Sequence, residues 1–77
     1  MALVQKIERL NLERPTVHGE VHCTYTSFAD AGDRYFQLDT YGSKNRQLPG
    51  KKSQTIQLNA QSARALIDLL TKEFKLA

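Results

Sequence analysis

At Asn59 the spacing of apolar residues along this chain lengthens from every second position to every third or fourth. Upstream, side chains alternate between a dry and a wet side, the period of a strand. Downstream, they recur on one stripe of a helix. A chain whose period switches in this way, near its end, is expected to build a sheet first and back it with a helix.

Three runs carry the shorter period. In Thr16 to Phe28, Val17, Val21, Cys23 and Tyr25 point one way, and His18, Glu20, His22, Thr24 and Thr26 the other. Residues 29–33 contain Asp-Ala-Gly-Asp, a turn signal that makes the next run its hairpin partner. In Tyr35 to Tyr41, Phe36 and Leu38 turn inward, while Tyr35, Gln37, Asp39 and Tyr41 turn outward. In Ser53 to Leu58, Ile56 and Leu58 turn inward, and Ser53, Thr55 and Gln57 outward. Asn59 then suits a helix N-cap, where its side chain accepts from orphan backbone amides. Ala63, Leu66, Ile67, Leu70 and Phe74 form one stripe, expected to lie across the dry face of the sheet. Lys72 and Lys75 fall in the last turns, where the helix dipole favours cations.

Met1 to Arg14 reads in two ways: as a helix, from the spacing of Leu3, Val4, Ile7 and Leu10, or as an extended edge segment. Pro15 closes it. The expected architecture is α+β in a single domain over 1–77. It has an N-terminal helix or edge segment over 1–14, a small antiparallel β-sheet of three to four strands over 16–58, and a C-terminal α-helix over 60–75 packed against that sheet. A chain of 77 residues buries only about 60–65% of its unfolded surface. Leu69 and Leu76 also give the helix more apolar surface than one sheet-facing stripe needs. A homodimer through the C-terminal helix is therefore expected.

Hydrophobic content of 40% and charged content of 25% are those of a globular protein rather than a disordered one. No apolar run approaches the ~18 residues of a membrane span, and no secretory hydrophobic region stands at the start. A cytoplasmic location is expected. Cys23 is the single cysteine, so no intrachain disulfide or Cys-cluster metal site can form, and it is expected as a small buried hydrophobe. His18, Glu20 and His22 share one side of the first run, but strand residues four apart are ~13 Å from each other, too far for both imidazoles to reach one ion. No phosphate-binding loop, nucleophile elbow or zinc signature is present. The expectation is a protein without cofactor, metal or catalytic residues, hence not an enzyme.

Charge is distributed more informatively. Between Asp39 and Asp68 there is no acidic side chain, yet Lys44, Arg46, Lys51, Lys52 and Arg64 all fall there. The net charge of +3 comes wholly from this region. Four of the five cations sit between Gly42 and Lys52, a Gly- and Pro-marked loop joining two strands. Beside it lies the open face of the sheet, with Thr24, Thr26, Gln37, Thr55, Gln57, His18, His22 and the rings of Tyr35 and Tyr41. Aromatic rings on an open sheet beside cations suit single-stranded nucleic acid: bases stack on the rings and cations track phosphates. Tyr35 and Tyr41 are the expected stacking residues, and Lys44, Arg46, Lys51 and Lys52 the expected phosphate contacts. The alternative is a small protein-protein interaction adaptor that uses the open sheet edge or face.

The run Phe36-Gln37-Leu38-Asp39-Thr40-Tyr41, the Leu48-Pro49-Gly50-Lys51-Lys52 turn, and Ile56-Gln57-Leu58-Asn59 leading into the helix resemble the positive cofactor four family of transcriptional coactivators. The resemblance covers about half the chain. It implies a curved antiparallel sheet backed by a helix and dimerised through it, binding single-stranded DNA in transcription or DNA maintenance. It also implies that Tyr41, Lys51 and Lys52 occupy DNA-contacting positions, with Lys44 and Arg46 in the equivalent loop. Two departures stand out. Asp39 lies where the family tends to have a basic residue, a carboxylate expected to repel phosphate, and the segment after Lys52 runs about two residues longer than the family's turn.

Overall fold

The computed structural model describes residues 1–42 and 52–76. Strands β1 (Ala2–Val4), β2 (Cys23–Asp30), β3 (Asp33–Tyr41) and β4 (Lys52–Leu58) are followed by helix α1 (Ala60–Phe74). The four strands form one sheet in the order β1-β4-β3-β2. The fold is α+β, as expected, but the sheet is mixed rather than antiparallel. β2 pairs with β3 and β3 with β4 in antiparallel register, whereas β1 runs parallel to β4.

The β2–β3 hairpin is tighter than the turn signal implies. Pairing continues to Asp30 and Asp33, leaving Ala31 and Gly32 alone at the turn. Both have positive φ, 51° and 85°, as a two-residue type I′ turn requires. Gly32 adopts this freely, while Ala31 carries a Cβ in the left-handed region at some cost.

Of the two readings of the N-terminal segment the extended edge is the one that forms, over three residues. No helix forms over Met1 to Arg14; Ala2–Val4 instead pairs with Ile56 to Leu58. A short helix with no face to pack on gains little. Three extended residues, by contrast, satisfy the outer backbone edge of β4. The first alternating run likewise becomes a strand only from Cys23, not from Thr16. The Tyr41 N–H donates to the His22 carbonyl at 3.0 Å, and β3 ends there. Among the described residues, no strand remains for Thr16 to Val21 to pair with. Arg9 Nη1, 3.9 Å from Glu73 Oε1, ties this connection to the last turn of α1.

Helix α1 starts one residue after β4. Asn59 is its N-cap: Oδ1 accepts from the Ser62 N–H at 2.9 Å, and the Asn59 N–H donates back to Ser62 Oγ at 3.0 Å. This reciprocal pair fixes the first turn. Lys75, in left-handed conformation with φ 53°, ends the helix by donating its N–H to the Thr71 carbonyl.

The stripe expected to cover the dry face does so only at its beginning. Ala63 and Leu66 are half-buried, whereas Ile67 and Phe74 remain 51% and 69% exposed. With a single linking residue, α1 meets the sheet through β4 and its later turns stand clear. Leu58 is the one buried hydrophobic side chain among the described residues. Cys23, expected inside, is exposed for the same reason: it lies on the helix side, beyond the helix's reach. The radius of gyration, 14.7 Å, exceeds the ~11.5 Å of a close-packed chain of this length.

Candidate functional site

The face of the sheet away from α1 is built in rungs. Leu3, Gln57, Gln37 and Thr26 stand side by side, and so do Thr55, Asp39 and Thr24. Tyr35 pairs with Phe28 at one end of the face. At the other end, Tyr41 lies between Lys52 and His22.

The position of Lys52 depends on one irregularity. Thr40 pairs with Gln54 but Tyr41 pairs with Lys52, so Ser53 is an extra residue on β4. Such a bulge reverses the alternation beyond it. Lys52 therefore joins the side of Tyr41 and Asp39, and its Nζ lies 3.3 Å from Asp39 Oδ2. Ser53 turns its hydroxyl onto Thr40, 3.1 Å from Thr40 Oγ1.

Asp39 is the centre of the face. Its carboxylate accepts from the Thr55 hydroxyl and from Gln37 Nε2, at 3.0 Å to Oδ2 and 3.3 Å to Oδ1. Gln57 Nε2 donates to Gln37 Oε1 at 2.9 Å, extending the chain to the neighbouring rung. The Thr55 hydroxyl, then Gln37 and Lys52, hold the Asp39 carboxyl below its ordinary value against the opposing effect of burial. Asp39 was expected as an outward charge repelling phosphate. It does face this side, but it is 1% exposed and ion-paired with Lys52. Its neighbours reach over it, so its charge is compensated within the face.

The expected stacking residues sit at opposite ends. Tyr35 stacks on Phe28, with ring centroids 5.7 Å apart and planes 28° from parallel. The Tyr41 ring lies 5.6 Å from that of His22, and its hydroxyl is 2.9 Å from Thr24 Oγ1. Along an extended strand their positions are ~20 Å apart. Lys44, Arg46 and Lys51 lie outside the described residues, in the connection whose two ends, Gly42 and Lys52, flank the Tyr41 rung. Of the expected phosphate contacts, Lys52 is thus the one described, and it is half-exposed while bound to Asp39.

Gln57 separates two depressions. One is lined by Met1, Ala2, Leu3, Gln37, Lys52, Thr55 and Gln57 itself. The other is lined by Leu3, Phe28, Asp30, Tyr35 and Gln57. Phe28 was not singled out from the sequence, although it continues the even-numbered series of Thr24 and Thr26. Neither histidine of the first run lies in a strand, because β2 begins only at Cys23. Among the described residues, no His, Cys, Asp and Glu cluster has a metal-holding arrangement, and no helix is long and apolar enough to cross a membrane. No family model, curated protein or solved structure matches the chain.

Proposed function

We propose that this chain is a non-enzymatic module that binds single-stranded nucleic acid on the open face of its sheet. The observation that carries the reading is the pairing of Phe28 with Tyr35 at one end of a hydrogen-bonding face and Tyr41 beside Lys52 at the other. Rings at both ends supply stacking surfaces for bases several nucleotides apart on one strand, each worth roughly 1–3 kcal/mol. On the described part of the face Asp39 and Lys52 cancel, and Asp30 at the Phe28 end adds a negative charge. Phosphate attraction then falls to Lys44, Arg46 and Lys51, which enter the chain between Gly42 and Lys52.

Titration of a fluorescent oligonucleotide at several salt concentrations tests this. Affinity should fall with salt on a log–log slope of about −0.7 per phosphate engaged. Charge reversal at Lys51 should flatten that slope and weaken binding. Absence of binding at low salt would sink the proposal.

The partner we propose beside nucleic acid is a second copy of the chain, docked through α1 and the helix side of the sheet. Tyr25 at 70% and Ile56 at 40% exposure there, with Ile67, Leu70 and Phe74 on α1, form more exposed apolar surface than a stable chain of this length normally leaves in water. Sedimentation reports it directly, and a monomer at high concentration overturns it.

A further inference from the structure

The hydrogen bonds of the open face run in one direction, and that direction has a chemical consequence. An ionised carboxylate only accepts, so Asp39 fixes which end of the Gln37 amide turns towards it. The nitrogen faces Asp39 and the oxygen faces Gln57. Gln57 must in turn offer its nitrogen to that oxygen, which it does at 2.9 Å. Turning either amide over would set oxygen against oxygen. Two residues away from the charge, the polarity of Gln57 is therefore already decided. Its Oε1 and one remaining N–H have no hydrogen-bond partner among the described residues.

Gln57 also lines the depression formed with Leu3, Phe28, Asp30 and Tyr35. Two rings and a leucine supply flat apolar contact there. The Asp30 carboxylate and Gln57 Oε1 are both acceptors, and no cation is among the described residues lining it. Such a site repels phosphate and favours a flat ring that carries an amino group.

Building on the nucleic-acid reading above, we propose that this depression takes an amino-bearing nucleobase, whose exocyclic amine donates to Gln57 Oε1, and that it disfavours uracil and thymine. Asp39 acts as a positioning residue for this choice: it sets the polarity of the relay without touching the base. Against the two acceptors of the depression, Asp30 and Gln57 Oε1, cytosine brings the two N–H groups of one amine, while uracil brings the single N–H of its N3. At the pyrimidine 4-position they present an amine and a carbonyl respectively, while their stacking surfaces are nearly equal.

The experiment measures binding of oligo-dC and oligo-dU to the full chain by fluorescence anisotropy. Oligo-dC should bind roughly three- to tenfold more tightly, the worth of one net hydrogen bond. Gln57→Leu should remove the ratio. Asp39→Asn should shrink it, because an asparagine amide can donate as well as accept and no longer dictates which way Gln37 points. If Asp39→Asn fails to fold by circular dichroism, Gln57→Leu decides alone. Equal binding of the two oligomers by the unaltered chain, or a ratio that survives Gln57→Leu, overturns the inference and leaves the general reading standing. Failure to bind either oligomer overturns both.

Discussion

The two faces of this sheet have exchanged the roles their compositions suggest. The helix side carries the apolar residues of the alternating pattern, yet Tyr25 and Ile56 stand exposed there. The open side carries Thr, Gln, Asp and Lys, yet it holds Asp39, the most buried side chain among the described residues. Dry character alone does not bury a face; something must lie on it, and α1 departs before it can. A polar face can order itself without a cover when each donor finds an acceptor. Among the described residues no buried side-chain polar atom lacks a partner. The helix side thus has affinity without occupancy, and the open side has order without hydrophobic burial.

Substitutions can break this contrast or sharpen it. The largest effect should come from Leu58→Ala, which empties the one buried apolar position among the described residues; a loss of about 2–5 kcal/mol is expected in urea unfolding. A change below about 1 kcal/mol would mean that Leu58 is not where the helix side is held together.

On the open side, Asp39 makes stability depend on acid. Its folded pKa is lowered, so its contribution is complete above the ordinary value of 3.8 and is lost as pH falls through the folded value. The gap between the unaltered chain and Asp39→Asn in thermal melts should be wide near neutrality and narrow as pH falls below 3.8 through the lowered folded value. A gap independent of pH would remove the charge from the account of this face.

Ile56→Ser separates the faces further. With no second copy on that face the change should move stability by no more than about 0.5 kcal/mol, an outcome that overturns the proposed docking. Loss of assembly in sedimentation together with a large destabilisation would place a second copy on that face. The smallest effect should come from Ala31→Asn in the turn both faces share. It creates the Asn-Gly pair favoured at positive φ and should raise stability by about 0.5–1 kcal/mol. A decrease would show that Ala31 is not strained.

The sequence made the centre of the fold legible and its margins much less so. Alternation in Tyr35 to Tyr41 and Thr55 to Leu58 placed side chains on the correct faces because both strands pair on both sides, whereas Ser53, expected outward, turns onto Thr40 at the bulge. The Asn59 cap was readable because capping is a contact between near neighbours. Ala2–Val4 was not readable as a parallel strand, since only the unfilled edge of β4 gives it a partner. Val17 and Val21 alternate as a strand should, but strand pairing requires a neighbour that alternation cannot supply. For the site, the positions of Tyr35 and Tyr41 followed from period alone. The covering of Asp39 did not, because it needs Thr55, Gln37 and Lys52 to converge from two strands, and Lys52 arrives only through the bulge.

That bulge also bears on how the chain could vary in length. Parity along β4 is set at Ser53, on the strand itself, rather than in the connection that precedes it. Residues could be added to or removed from 43–51 without changing the side on which Lys52 emerges. Straightening the bulge with Ser53 retained would invert it, because Ser53 would then face Tyr41 and carry Lys52 to the opposite surface, whereas deleting Ser53 would leave Lys52 facing Tyr41. A single small serine thus takes up one residue of length within β4 and keeps the ammonium on the side of Asp39.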